Sequence, residues 1–229
     1  MKLQKHWQNI KETITSKKNS NLIIGLTGTI ASGKTTVADM LTDLGAYAID
    51  FDLLAREIVI PGALAYNQIV DYFGKQILQE DGNLDRKKLS DIVFSDIEKR
   101  KILESFTHPQ IALSFVSKLD NIILNNANAI VQVIVPLMIE NNLQYLFHKV
   151  ILVYIPQDKL VERLMKRNSI NYHEAIQIIN SQIPIDEKVK FADFVIDNGK
   201  ELDQTKQQVD NLWGELVKIQ RKERNTKIV

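Results

Sequence analysis

The segment LIIGLTGTIASGKTTVADM, residues 22–40, contains the clearest structural pattern in the sequence. Its first part, Leu22–Thr27, is a mostly apolar run of the kind that forms a buried strand. A loop of glycines and small polar residues follows, and apolar residues return at helical spacing after Lys34. The stretch therefore predicts a strand, a glycine-rich turn and a helix in immediate succession.

The loop fits the pattern G-x-x-x-x-G-K-[ST] through Gly28, Gly33, Lys34 and Thr35. Glycine lets the chain turn off the strand and lets backbone N–H groups approach an anion without an intervening Cβ. The helix N-terminus adds unsatisfied N–H groups and the positive end of the helix dipole. We therefore predict a site for a nucleotide triphosphate, in which Lys34 faces solvent until it contacts phosphate and Thr35 binds Mg²⁺. The loop residues assigned to this site are Gly28, Ala31, Ser32, Gly33, Lys34, Thr35 and Thr36.

Composition excludes several other classes of protein. The chain has 229 residues, a formal net charge of +1 and no cysteine. Near-neutral charge gives no electrostatic argument for nucleic acid or a membrane surface as a partner, and disulfides and thiol nucleophiles are excluded. The longest apolar runs, residues 129–139 and 150–155, are far shorter than the roughly 18 residues that span a bilayer. We expect a cytoplasmic globular protein.

Five apolar segments predict an α/β fold with a parallel sheet. They are rich in Val and Ile and lack period-two alternation, which is typical of strands covered on both faces. The segments are residues 22–27, 46–50, 129–135, 149–155 and 193–197. The long gap after the second segment contains helical patterns at residues 64–73 and 97–106, which predict a helical insertion.

The predicted organisation is one main domain over residues 21–220, with an extension at each end, 1–20 and 221–229. The insertion covers about residues 60–127, and a charged helical block at about 157–191 could also stand off the sheet. In the N-terminal extension, Trp7, Ile10 and Ile14 have rough helical spacing. An amphipathic arm is one interpretation, but the excess of lysine favours a solvated extension.

Two carboxylates follow the second predicted strand in AIDFD, residues 48–52. In an extended chain Asp50 and Asp52 share a face, at the end of the sheet where ligands of α/β proteins bind. One carboxylate would orient an acceptor hydroxyl or take its proton, and the other would hold Mg²⁺-bound water. Helix capping is the alternative interpretation of both acids. Arg56, one turn later, would hold an acceptor phosphate or pair with Asp52.

Residues 25–56, GLTGTIASGKTTVADMLTDLGAYAIDFDLLAR, resemble the opening of bacterial dephospho-coenzyme A kinases. Further blocks resemble that family in the same order, so that the resemblance covers about residues 22–199. These blocks are THPQI at 107–111, VPLMIE at 135–140, RLMKRN at 163–168 and KFADFVIDN at 190–198. The loop departs from the family at Thr29 and Ala31, where glycine is more usual.

The resemblance implies a P-loop, nucleoside-monophosphate-kinase-like fold, a kinase domain with a five-stranded parallel sheet, a helical acceptor lobe at about residues 60–127 and a lid at about residues 157–191. It implies ATP-dependent phosphorylation of the ribose 3′-hydroxyl of dephospho-CoA, giving CoA and ADP. Independently of the resemblance, we expect a requirement for Mg²⁺ and a monomer or weak homo-oligomer. Arg163 and Arg167, four apart on a helix, are either a solvated charged face or a pair that closes over the transferred phosphoryl group, and the resemblance favours the second. It also places Asn198 near the adenine of ATP, where a turn asparagine is the plain interpretation.

Three residues of the later blocks are assigned to the acceptor site. His108 precedes Pro109, a pairing that usually marks a helix boundary, and we assign it to acceptor-site architecture. Pro136 and Glu140 follow the third predicted strand and shape the acceptor pocket, unless they only begin a helix. Lys188 is a weaker candidate for the lid.

Three other functions compete with this interpretation. A GTPase needs an N-K-x-D determinant after a strand, and the sequence has none; its D-x-x-G match at residues 71–74 falls on a helical pattern. A kinase for another small hydroxyl acceptor fits the loop and the carboxylates equally well, and only the later blocks argue against it. A binding module without turnover is disfavoured because Lys34 and Asp52 are both present. The assigned catalytic residues are Lys34, Asp52 and Arg163.

Overall fold

The computed structural model describes Trp7, residues 10–12, Ile14 and residues 21–226, with side chains up to residue 222. Contacts divide the chain into two compact units. The sheet unit consists of the described residues of Lys11–Asp50 and Asp120–Val229. The insertion unit consists of Trp7, Ile10 and Phe51–Leu119.

The sheet unit is built on five parallel strands in the order β2-β3-β1-β4-β5. The strands are β1 Leu22–Thr27, β2 Tyr47–Asp50, β3 Ile130–Ile134, β4 Lys149–Tyr154 and β5 Phe194–Asp197. Each lies within one of the five predicted segments, so the predicted five-stranded parallel sheet is confirmed. β1 is central and entirely buried, which explains its lack of alternation.

Helices cover the sheet and bury its apolar side chains. They are α1 Lys34–Asp43, α6 Gln157–Asn168, α7 Tyr172–Asn180, α8 Ile185–Lys188 and α9 Leu202–Thr226. Val37 and Leu41 of α1 and Leu212 of α9 pack in one core cluster with Leu22 and Leu26 of β1. Gly45 follows the end of α1 and has a φ of +113°, a value that favours glycine.

The predicted lid, α6 to α8, packs on the sheet. Leu160 and Leu164 of α6 and Ile179 of α7 belong to one buried cluster with Leu152 and Ile155 at the end of β4. The expectation that this block stands off the sheet is therefore wrong. Its charged residues cover one face of an amphipathic helix pair whose other face supplies the buried side chains.

The insertion unit is helical, as predicted. Its helices are α2 Phe51–Glu57, α3 Leu64–Phe73, α4 Arg86–Ser95 and α5 Ile97–Asn125, the last continuing into the sheet unit. Ile69, Phe73, Ile77, Leu84 and Leu89 form its buried core. The D-x-x-G match ends α3, which supports the rejection of a GTPase.

His108 and Pro109 do not mark the helix boundary that such a pairing usually indicates, because Pro109 lies inside α5. Proline removes one helical hydrogen bond, at a cost of about 3 kcal/mol. Phe115 and Leu119, on the same helix, are fully buried, and this packing offsets the cost.

The described residues of the N-terminal extension are helical, and two of them are buried. Ile10 and Ile14 are 1% and 3% exposed, which excludes the solvated extension for these two positions. Within the insertion unit, the Trp7 ring stacks on Phe51 at 6.1 Å and meets His108 edge-on at 5.6 Å. The amphipathic interpretation of this spacing is the correct one.

Candidate active site

The phosphate-binding loop occupies the turn between β1 and α1, and its backbone requires both motif glycines. A Cβ at Gly28 would lie 2.6 Å from both Ser32 Oγ and the carbonyl oxygen of Val153. Gly33 has a φ of +90°, and a Cβ there would collide with the amide group of Asn198. Ala31 has a φ of +63°, a conformation that glycine adopts with less strain. The loop thus keeps its fold despite the departure at Ala31.

Lys34 does not face solvent, contrary to the expectation. Its half-buried side chain turns back, and Nζ donates hydrogen bonds to the carbonyl oxygens of Gly28 at 2.8 Å and Thr29 at 3.1 Å. The ammonium group of Lys34 therefore lies over the phosphate-binding loop. In the same loop Ser32 is buried, Thr36 is half-buried and Thr35 is exposed at the first turn of α1.

Asn198, after β5, joins the loop to two other elements. Its Nδ2 donates to the carbonyl oxygen of Ser32 at 2.8 Å, and its Oδ1 accepts from the Thr205 hydroxyl at 3.0 Å. Its carbonyl oxygen accepts a hydrogen bond from Arg163 Nη2 at 2.9 Å. Asn198 is 5% exposed, so its side chain serves the loop and α9. Its assignment to adenine stays a prediction.

The structure separates the two arginines of α6. Arg163 is half-buried, and a Cβ at Gly33 would lie 3.6 Å from its Nη1, so its guanidinium group reaches the phosphate-binding loop. Arg167 is exposed, and its Nε donates to Asn168 Oδ1 at 3.0 Å. Of these two arginines, Arg163 is the one whose guanidinium group lies beside the loop.

Glu140 joins the segment after β3 to the end of the lid. Its Oε1 accepts from the Ile183 N–H at 3.2 Å and lies 2.6 Å from Lys188 Nζ. Lys188 is completely buried, and within the described part of the chain its Nζ has this ion pair and no bond of hydrogen-bond geometry. No helix begins at Pro136; residues 136–142 form turns, so the helix-start alternative is excluded. The Pro136 carbonyl accepts from the Thr27 hydroxyl at 3.3 Å.

Two further contacts join the predicted lid to the phosphate-binding loop and to β4, and sequence reasoning missed both. Gln182 Oε1 accepts from the Ile30 N–H of the loop at 3.1 Å. The side chain of Asp186 in α8 accepts a hydrogen bond from Tyr154, and this bond raises the pKa of the Tyr154 phenol. A cavity of about 220 Å³ adjoins these contacts and is lined by Thr29, Gln182 and Ile183 among others. The partners lie too far apart in the sequence for any spacing to reveal them.

Asp50 and Asp52 belong to different kinds of structure. Asp50 is the last residue of β2, and Asp52 lies in the first turn of α2. The argument that both share a face of an extended chain therefore does not apply. Asp52 is exposed, and Asp50 is half-buried.

Within the insertion unit, Arg56 and His108 line different cavities. Arg56 lines one of about 350 Å³, and His108 lines one of about 340 Å³ together with Leu103 and Ile111. The structure thus supplies two concave surfaces in the unit to which the acceptor was assigned.

The described residues contain no group of three or more His, Cys, Asp or Glu side chains placed to hold a metal ion. No helix among them is both long and apolar enough to cross a membrane.

Comparisons with known proteins agree with these features. Residues 22–204 match the family model described as dephospho-CoA kinase. The dephospho-CoA kinase of Oceanobacillus iheyensis is 45% identical over 191 residues, 83% of this chain and 96% of that protein.

Two solved structures are also similar. A crystal structure from Thermus thermophilus has a TM-score of 0.72 at 30% identity and covers 85% of this chain and 97% of that one. Dephospho-CoA kinase from Campylobacter jejuni has a TM-score of 0.65 at 33% identity, covering 86% and 98%. The chain therefore belongs to the dephospho-CoA kinase family.

Proposed function

We propose that this chain transfers the γ-phosphoryl group of ATP to the ribose 3′-hydroxyl of dephospho-CoA, giving CoA and ADP. The observation that carries the proposal is the intact phosphate-binding loop between β1 and α1, with Lys34 over it and Arg163 beside it, in a member of this family. Phosphoryl transfer depends mainly on positioning and on stabilising charge, and these groups supply both.

The residues of the loop hold the donor. Backbone N–H groups and the N-terminus of α1 bind the phosphate oxygens, and Lys34 exchanges its carbonyl partners for them. Arg163 Nη1, close to Gly33, stabilises the charge on the transferred group. Because Asn198 holds both the loop and Arg163, it keeps the cation and the cradle in register.

We assign proton removal to Asp52. In the step, a bond forms between the 3′-oxygen and the γ-phosphorus, the bond from that phosphorus to the β–γ bridging oxygen breaks, and ADP leaves. The proton of the 3′-hydroxyl passes to the Asp52 carboxylate, which is exposed and therefore accessible to an acceptor. Acceptor binding stays a prediction for five residues: Asp50, Arg56, His108, Pro136 and Glu140.

Mg²⁺ fits the residues that are present. The exposed Thr35 hydroxyl at the first turn of α1 is a hard oxygen ligand, and Mg²⁺ commonly takes few protein ligands, keeping water and phosphate oxygens. The ion would neutralise charge on the β and γ phosphates. EDTA should therefore abolish turnover and added Mg²⁺ should restore it, whereas a rate insensitive to EDTA would contradict this assignment.

The deciding experiment is an ADP-release assay with ATP and a panel of acceptors: dephospho-CoA, adenosine, a second nucleoside and a sugar acid. We expect dephospho-CoA to have the highest kcat/KM and the product to carry phosphate on the 3′-oxygen by NMR. A higher value for another acceptor would overturn the proposal. A cytoplasmic location and a monomeric or weakly associating state are also proposed; fractionation of cells and light scattering of the purified chain test them.

A further inference from the structure

The insertion unit contains a polar cavity of about 350 Å³, and one of its lining residues is Arg56, which is already predicted to bind the acceptor. Its basic side chains come from separate elements: Arg56 from α2, and Arg86 and Lys87 from the start of α4. The rest of the lining consists of Val59, Ile60, Gln79, Asn83, Leu84 and Asp85. The cavity thus combines three cationic side chains with amide groups and an apolar edge.

These three cations differ from most others in the unit, because they have no ion-pair partner among the described residues. The paired cations are Lys88 with Asp85, Lys99 with Asp96, Arg100 with Glu104, Lys101 with Glu98, and Lys118 with Glu57. Lys75 is the remaining cation without a recorded pair, and it does not line the cavity. Unpaired positive charge is therefore concentrated at this cavity.

The one carboxylate of the lining is already engaged. Asp85 caps α4 by accepting from the Lys88 N–H at 3.0 Å, and it also pairs with Lys88 Nζ at 3.3 Å. It therefore does not neutralise Arg56, Arg86 or Lys87. An anion entering the cavity would meet cations that need not give up a protein partner.

Hydrogen bonds hold the turn that supplies Gln79 and Asn83 to the lining. In the turn at residues 79–83, the Gln79 N–H donates to the Asn83 carbonyl oxygen at 2.8 Å. The Tyr66 hydroxyl donates to the Gly82 carbonyl oxygen at 2.6 Å, which ties this turn to α3. Leu84, next in the chain, is buried in the core of the unit. A wall that is ordered in advance lowers the entropy cost of binding.

We propose that this cavity binds the diphosphate group of the acceptor, with Arg56, Arg86 and Lys87 as its ligands. The inference rests on the proposed function, because dephospho-CoA carries a diphosphate between its adenosine and pantetheine parts. Arginine contacts phosphate oxygens in a bidentate fork, and lysine adds a point charge. The site would therefore determine specificity for the acceptor and leave the ATP site unaffected.

The test compares the double variant Arg86→Ala/Lys87→Ala with the matched control Lys75→Ala. We expect the double variant to raise KM for dephospho-CoA by about tenfold or more, since tenfold equals about 1.4 kcal/mol. KM for ATP and kcat should stay within twofold. The preference of the enzyme for dephospho-CoA over adenosine, which has the same 3′-hydroxyl but no diphosphate, should shrink by the same factor. Lys75→Ala should change none of these values.

The possible results separate the two proposals. An unchanged KM in the double variant, an equal change in Lys75→Ala, or a loss confined to kcat would overturn the inference while dephospho-CoA remained the substrate. If the unaltered chain does not phosphorylate dephospho-CoA, the proposed function itself fails. Circular dichroism and the melting temperature check folding, and Arg86→Gln/Lys87→Gln gives a second measurement in which the stems of both side chains are mostly retained.

Discussion

The predicted site residues of the sheet unit are interlocked, whereas the cations around the polar cavity of the insertion unit are not. In the sheet unit Lys34, Asn198 and Arg163 make direct hydrogen bonds to the loop or to one another. In the insertion unit Arg86 and Lys87 are exposed and make no ion pair within the described part of the chain. The side chains of the first region are held by contacts within the protein, and those of the second carry charges that a ligand would pair.

The two regions also differ in how well a sequence motif can reveal them. Phosphate is bound by backbone N–H groups, and the backbone geometry requires glycine at two fixed positions, so a short motif results. An acceptor is recognised by side chains from several helices, whose order and spacing are not fixed.

Asp52 should matter most for the rate. Asp52→Asn keeps the shape of the side chain and removes its charge, so kcat should fall about 10² to 10⁴-fold if the carboxylate takes the proton. The KM for ATP should change little. If Asp52 only favours the start of α2, the variant should be almost silent, because asparagine is tolerated there nearly as well.

Single-turnover phosphorylation of dephospho-CoA decides between these outcomes, with Asp50→Asn measured beside it. A rate for Asp52→Asn within twofold of the unaltered chain would defeat the assignment. A large loss in Asp50→Asn alone would transfer the role to the last residue of β2.

The variant Lys188→Met tests whether the buried ion pair with Glu140 contributes to the free energy of unfolding. Lys188→Met leaves the Glu140 carboxylate, 17% exposed, without its cation, and such a change commonly costs about 3–5 kcal/mol of unfolding free energy. Urea denaturation measures the loss, and Glu140→Gln/Lys188→Met should recover part of it. Lys190→Met is the control, because its pair with Glu187 is exposed and should be worth less than about 1 kcal/mol. Equal losses in both lysine variants would refute the role of burial.

Lys34 is expected to act on phosphate charge. Lys34→Met should lower kcat/KM by about 10² to 10³-fold, the usual worth of one group that stabilises developing charge. Losing the hydrogen bonds to Gly28 and Thr29 should cost only about 0.5–1.5 kcal/mol each, so the fold persists. Steady-state assays measure the effect, with the exposed Lys166→Met as control. Unaltered turnover in Lys34→Met would remove the basis for the phosphate-binding loop.

The inner strands β3, β1 and β4 were predictable because both of their faces are buried, so each is a near-continuous apolar run in the sequence. The edge strands β2 and β5 are partly exposed and gave a weaker signal. The loop was predictable because Gly28 and Gly33 are imposed by backbone geometry. The position of Lys34 was not, since nothing in the sequence tells which carbonyl groups a lysine will contact. The Glu140–Lys188 pair was not predictable either, because it joins residues 48 positions apart in the chain. The continuation of α5 through Pro109 was not predictable because it depends on the packing of Phe115 and Leu119.

The smallest expected change in stability concerns the N-terminal extension, which was predicted from the sequence to be solvated. Ile10 is 1% exposed and belongs to the insertion unit, so Ile10→Val should lower the free energy of unfolding by about 1 kcal/mol, the usual cost of one buried methyl group. Ile97→Val removes the same group from a side chain that is 60% exposed, and it should stay within about 0.5 kcal/mol of the unaltered chain. Urea denaturation of both variants measures the difference. Identical midpoints would mean that Ile10 contributes nothing to the core, and that the burial of this segment does not stabilise the insertion unit in solution.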